Sequence, residues 1–241
     1  MVFAREKSLN ICIIPARGGS KRIPRKNIKE FNGKPIIAYS IEAALESNCF
    51  TQVIVSTDDA EIAKIAKKYG ATVPFLRPDK LSNDYAGTTA VVKHAIEWME
   101  NTNNSIDYVC CLYATVPFIR PKTLTKAYEQ LINSKSDYCF SATSFTYPIQ
   151  RAIKIVQDNK VEMFYPEHFN TRSQDLEEAF HDAGQFYWGK AQAFKNELQI
   201  FSKISSPYVV PRYLVQDIDT REDWIRAELM HQAIQMFKQK E

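Results

Sequence analysis

Apolar residues change their period repeatedly along this chain. The unbroken run NICII (10–14) predicts a buried strand, and PIIAYSIEAALES (35–47) places its apolar residues at helical spacing. QVIVST (52–57) is strand again, and AEIAKIAKKYG (60–70) is a helix with Gly70 positioned to end it. ATVPFL (71–76) and DYVCCLY (107–113) predict strands, while TTAVVKHAIEWME (88–100) and TLTKAYEQLINS (123–134) predict helices. Strands apolar on both faces, alternating with helices, predict an α/β fold with a mostly parallel sheet covered on both sides. Ligands of such sheets sit beyond the carboxyl ends of the strands.

After DYCFSAT (137–143) the rhythm breaks. Residues 144–182 carry apolar fragments, RAIKIV and VEMFY, around a polar QDN turn, and then PEHFNTRSQDLEEAFHD, which keeps neither period for long. This predicts a hairpin with an irregular extension, inserted into an α/β domain made of residues 1–143 and 183–241. The main domain resumes with the strand AGQFYWG (183–189) and closes with VQDID leading into an amphipathic helix from about Thr220 to Lys238.

Composition narrows the class. With 241 residues, 45% hydrophobic and 24% charged, the chain can bury a sizeable core, which excludes a disordered protein. The five cysteines are an odd number without a CxxC pair and fall mostly in apolar runs, as reduced core residues do. No apolar run approaches the ~20 residues of a membrane span, and MVFAREKSLN lacks the features of a signal peptide. The expectation is a cytoplasmic protein without a membrane partner.

The net charge is only +3, so the stretch ARGGSKRIPRKN (16–27), with five positive charges and no negative one, is a local feature. It begins where the first strand ends, at the ligand edge. Gly18 and Gly19 let backbone amides approach an oxyanion, Arg17, Ser20, Lys21, Arg22, Arg25 and Lys26 supply donors, and Pro24 stiffens the loop. Such a loop suits a polyphosphate, yet it matches neither GxxxxGK[ST] nor GxGxxG. Charge alone leaves open a solvated basic loop or a nucleic-acid contact. Asp217 and Asp219, two apart in an extended segment, point to one side and suit Mg²⁺ shared with phosphate oxygens. The spacing of Asp219 to Glu222 also fits a helix N-cap with its capping-box partner, and spacing does not choose between the two. Asp58 is placed to cap the following helix or to reach the site, with capping favoured. His94 and His231 lie in helical runs and read as structural.

The segment IIPARGGSKRIPRKNIKEFNGKPIIAYSIEAA resembles the N-terminal signature of the cytidylyltransferases that activate sialic-acid-like nine-carbon sugars, and VIVSTDDAEIA, FLRPDKLSND and DIDT follow in that family's order. The likeness spans nearly the whole chain. It implies a Rossmann-like sheet of the nucleotide-diphospho-sugar transferase type, with a small inserted subdomain for homodimerisation. It also implies a Mg²⁺-dependent transfer of CMP from CTP to a sugar acid with release of pyrophosphate, with no nucleic-acid partner. By correspondence, Arg17, Ser20 and Lys26 hold the triphosphate, with Lys26 nearest the α-phosphate and Lys21, Gly18 and Gly19 assisting. Asn27, Arg77 and Thr88 surround cytosine and ribose, although without the resemblance Arg77 reads as a turn-anchoring surface residue before Pro78. Arg17, Lys26 and Asp217 are the catalytic candidates, and Asp217 and Asp219 the metal ligands.

For the sugar, the candidates are Tyr113, Gln174, Gln185 and Arg172, the last as a carboxylate clamp. Family members handling N-acetylneuraminic acid typically read QPTSP where this chain reads YATVP (113–117). The insertion and the tail PRYLVQDIDT resemble the branch acting on pseudaminic acid, with legionaminic and N-acetylneuraminic acid as alternatives. On physical grounds, Phe164, Tyr165, Phe169, Phe180, Phe186, Tyr187 and Trp188 read as core or interface before sugar platform. No residue is identified as general base. A non-enzymatic RNA-binding module would explain SKRIPRK but not the acidic pair.

Overall fold

The computed structural model describes residues 9–101 and 105–238. In chain order it contains β1 (Asn10–Pro15), a small hairpin of β2 (Glu30–Phe31) and β3 (Lys34–Pro35), α1 (Ile36–Glu46), β4 (Gln52–Ser56), α2 (Ala60–Lys68), α3 (Thr88–Glu100) and β5 (Tyr108–Leu112). Then follow α4 (Pro121–Ser134), β6 (Tyr138–Ser144), a second hairpin of β7 (Ile153–Ile155) and β8 (Val161–Met163), β9 (Phe180–Lys190), the short α5 (Ala191–Lys195), β10 (Ser205–Val209) and α6 (Arg221–Lys238).

The main sheet has the order β10-β6-β9-β5-β1-β4. All its pairings are parallel except those of β9, which runs antiparallel to both β5 and β6. The α/β fold with a mostly parallel sheet is therefore as the periodicity predicts. Successive strand residues point to opposite faces, and β1 shows the result. Cys12 and Ile14 pack with Ile37 and Ile41 of α1 and Leu124 of α4, while Ile11 and Ile13 pack with Val92, Ala95 and Ile96 of α3. A third cluster joins Ile23 and Phe31 to Leu214, Ile218 and Trp224, fastening the chain's last helix beside its first loop.

Two expectations change. Residues 71–76 are not a strand; they follow β4 through the isolated bridges Ile54–Thr72 and Thr57–Leu76, because Pro74 has no N–H to continue a ladder. The penultimate strand is longer than AGQFYWG, starts at Phe180 and is antiparallel. Trp188 on it is fully buried, stacks on Phe50 at 4.8 Å and donates its indole N–H to Leu124 O at 3.1 Å. Phe186 is likewise core, whereas Phe164, Tyr165, Phe169 and Phe180 of the inserted region are exposed. Residues 144–182 hold the β7–β8 hairpin, paired in a sheet of its own, followed by single turns at 166–168 and 173–175. His231 packs edge-on against Phe31 and Tyr39, and His94 against Phe75, so both serve the packing. No helix among the described residues is long and apolar enough to cross a membrane.

Candidate active site

The basic loop leaves β1 at Pro15 and is shaped by carboxylates at the end of β4. Gly18 N–H donates to Asp58 Oδ1 at 2.9 Å, and a Cβ added at Gly18 would lie 2.7 Å from Asp59 Oδ2. Asp59 cannot step aside. Its Oδ1 caps α2 by accepting from Glu61 N and Ile62 N, and its carboxylate is gripped by both terminal nitrogens of Arg25. That hydrogen-bonded pair with Arg25 holds the Asp59 carboxyl at about 2, below its usual 3.8. The glycine is thus required by close approach, and its amide is engaged by Asp58. Asp59 is the cap of α2, and Asp58 instead holds the loop. Neither Gly18 nor Gly19 lines the cleft described next, and Arg25 is turned to α2.

Beyond the ends of β1 and β5 lies a cleft of ≈ 640 Å³. Its wall brings together Arg17, Ser20, Lys21, Lys26, Asn27, Arg77, Thr88 and Tyr113, residues spread over nearly a hundred positions. Asn27 is buried and donates its side-chain amide to Arg17 O at 2.9 Å. Thr88 opens α3, with its hydroxyl 3.3 Å from that of Tyr113. Arg77 is not a surface residue. Its side chain is 3% exposed, its Nε and Nη2 find no hydrogen-bond partner, and the nearest carboxylate, Asp58, stands 3.7 Å away. Burial lowers its pKa, with Asp58 opposing. A buried guanidinium with unpaired donors is costly unless a ligand supplies acceptors.

Lys26 connects this cleft to the acidic pair: its Nζ donates to Ile218 O at 2.6 Å and lies 3.3 Å from Asp219 Oδ1. Arg22 holds the other oxygen of Asp219 at 2.8 Å. Asp219 is not the cap of α6. Thr220 Oγ1 accepts from Asp223 N while Asp223 Oδ2 accepts from Thr220 N, so the reciprocal box is Thr220 with Asp223, one residue on from the spacing read as Asp219 with Glu222. The Asp219 carboxylate is thereby left to the site. Asp217 is exposed at the cleft edge, and its carboxyl is raised by partial desolvation and then by the charge of Asp219, with Lys26 opposing. Among the described residues no cluster of three His, Cys, Asp or Glu side chains could hold a metal. Two hard oxygen donors whose mutual repulsion a cation would relieve do fit a divalent ion that draws its other ligands from phosphate and water.

Asp217 faces a second cleft of ≈ 580 Å³, which Tyr113 also borders. Here the structure gathers Tyr187, Asp182, His181, Arg212 and Arg226, side chains that stand in no recognisable sequence motif. Tyr187 donates its hydroxyl to Asp182 Oδ2, and burial pushes the phenols of Tyr187 and Tyr113 up. Three sugar candidates do not reach either cleft in this chain. Gln185 is buried and donates to Leu214 O at 2.6 Å, which makes it a strut between β9 and the tail. Arg172 is an exposed partner of Asp175 at 2.6 Å, and Gln174 is exposed beside it in the inserted region. Asp84, another cleft residue that sequence reading passed over, binds Arg17 and Lys21.

The sequence profile of the family described as Cytidylyltransferase matches residues 11–240. The chain belongs to the cytidylyltransferase family. It is 52% identical over 224 residues to a Campylobacter jejuni protein named pseudaminic acid cytidylyltransferase, covering 93% of this chain and 97% of that one. The CMP-N,N'-diacetyllegionaminic acid synthase of Legionella pneumophila is 33% identical, over 90% of this chain and 94% of its own length. Among solved structures, a CMP:2-keto-3-deoxy-manno-octonic acid synthetase complexed with CTP superposes with a TM-score of 0.69 at 18% identity, over 94% of this chain and 100% of that one, and so shares the fold. The clefts and the carboxylate-braced loop thus stand on a fold that this solved structure shares.

The brace has a pH signature. Because the Asp59 carboxyl titrates lower folded than unfolded, its contribution to stability is complete above about pH 4 and is lost as pH falls toward about 2. Asp59→Asn can still cap α2 but cannot pair with Arg25. The variant is expected to lose less stability than wild type over that acid interval when unfolding midpoints are compared across pH.

Proposed function

We propose that the protein transfers CMP from CTP to pseudaminic acid and releases pyrophosphate. The observation that carries this reading is the pair of clefts meeting at Tyr113, one lined by cations around a buried Arg77 with unpaired donors, the other by mixed polar groups that include Asp217. Identity to the named Campylobacter protein across almost the full length of both chains supports the sugar. So does Tyr113, standing where relatives that use N-acetylneuraminic acid carry an amide. An RNA-binding role leaves the buried Arg77 and the acidic pair without a task.

In this reading Arg17, Ser20 and Lys21 hold the triphosphate, and Lys26 neutralises charge at the α-phosphate. Arg77 offers a planar fork to the carbonyl acceptors of cytosine, with Asn27 and Thr88 beside the base and ribose. The anomeric hydroxyl enters from the second cleft, gives up its proton to water and forms a bond to the α-phosphorus. The bond from that phosphorus to the bridging oxygen breaks, and pyrophosphate leaves with the electron pair. The chain's work is positioning and charge neutralisation. Asp217 and Asp219 would hold Mg²⁺, which when bound supplies positive charge to the phosphates. The five free thiols are compatible with a cytoplasmic setting.

Pyrophosphate release with CTP should be faster with pseudaminic acid than with legionaminic or N-acetylneuraminic acid, and preference for N-acetylneuraminic acid would overturn the sugar assignment. Asp219→Asn should reduce turnover by roughly two orders of magnitude or more, with partial rescue by excess Mg²⁺. The melting temperature should hold, since Thr220 caps α6; wild-type turnover of Asp219→Asn at limiting Mg²⁺ would refute the metal role.

The domain division at 144–182 and a homodimer belong to the same proposal. Ile153, Ile155, Val161, Phe164 and Phe169 of the insertion each leave more than half their surface exposed, a patch that a second copy would cover. Light scattering should give twice the chain mass at micromolar concentration, and a fully active monomer would contradict it.

A further inference from the structure

Asp84 lies on the loop between Leu81 and α3, far in sequence from the basic loop it contacts. Its Oδ1 accepts from Arg17 Nη1 at 2.7 Å and its Oδ2 accepts from Lys21 Nζ at 2.5 Å, so one carboxylate spans the cleft and ties together two cations. All three residues line that cleft. The turn carrying Asp84 is held independently, because Asn83 Oδ1 accepts from Tyr85 N and Ala86 N. The contact is also open to water: Arg17, Lys21 and Asp84 are 38%, 79% and 41% exposed in their side chains. Exposed pairs of this kind are weak and exchange readily.

We propose that Asp84 is a positioning residue of the nucleotide cleft, which holds Arg17 and Lys21 before nucleotide arrives, yields both to the triphosphate, and takes them back as pyrophosphate leaves. This rests on the CTP reading above. A carboxylate and a phosphate compete for the same donors, and a triphosphate brings more acceptor oxygens and more charge, so it displaces the carboxylate. A carboxylate remaining beside the bound phosphates would repel them. Asp84 therefore keeps two long side chains ordered in the cleft, and it weakens retention of the small anion that must leave after each turnover.

The test is pyrophosphate and CTP binding by calorimetry, together with pyrophosphate product inhibition, for wild type, Asp84→Asn and Asp84→Glu. Asp84→Asn should bind pyrophosphate about two- to tenfold more tightly, with a lower KM for CTP and no gain in kcat. Asp84→Glu, which restores the charge, should return pyrophosphate affinity toward wild type. Unchanged or weaker pyrophosphate binding by Asp84→Asn overturns the proposal, and so does a lower melting temperature with unaltered affinity, since Asp84 would then merely hold the loop. If wild type binds neither CTP nor pyrophosphate, the nucleotide reading itself fails and this proposal with it; if wild type binds both, a failure at Asp84 leaves that reading standing.

Discussion

Five cations lie within twelve residues of one loop, and their mutual repulsion must be balanced before the loop can hold any one shape. The fold balances it with carboxylates brought from elsewhere. Asp84 holds Arg17 and Lys21, Asp219 holds Arg22 and Lys26, and Asp59 with Glu61 holds Arg25. Asp59, Glu61 and Asp219 lie at the starts of helices that the sheet has already placed, and Asp84 lies on the loop that leads into α3. The loop's conformation is therefore a consequence of the α/β architecture.

The pairs are not alike. The Asp59–Arg25 contact is a fork on a helix cap, backed by Gly18 at a distance that admits no Cβ, and it acts as the fixed hinge of the loop. The pairs of Asp84 with Arg17 and Lys21 and of Asp219 with Arg22 are more exposed, and their cations line the first cleft. A cation held by an exposed carboxylate can exchange it for phosphate at little cost, because neither partner has been stripped of water. One loop thus combines a rigid base with donors ready to be transferred. Arg77 is the exception, since its Nε and Nη2 are buried without a hydrogen bond and Asp58 is only a distant counter-charge, so it has the most to gain from a ligand.

Lys26 joins two ends of the chain by reaching Ile218 O and Asp219, and the packing of Ile23 and Phe31 against Ile218 and Trp224 makes that meeting permanent. The cation and the acidic pair consequently share one scaffold. Tyr113, at the end of a central strand, stands between the two clefts because β5 lies between β1 and β9.

The alternation of the main strands and helices, the apolar faces and the concentration of positive charge in residues 16–27 were legible from sequence, because they depend on local period and on charge close along the chain. Most of the cations that line the first cleft stand in the ordered set of motifs that the sequence singles out. Which carboxylate does what was not legible. Asp58 and Asp59 are neighbours with identical side chains, as Asp219 and Thr220 are neighbours able to cap alike, and a shift of one residue decides which group serves the helix and which serves the cleft. The burial of Arg77 depends on residues 72–77 running back beside β4, and the place of Gln185 as a strut and of Asp182 in the second cleft depends on β9 crossing back through the sheet. Sequence determined the elements and the chemistry available at their ends; tertiary structure decided the partners, because a hydrogen bond or ion pair is settled by a few tenths of a nanometre between residues that may be a hundred or more positions apart.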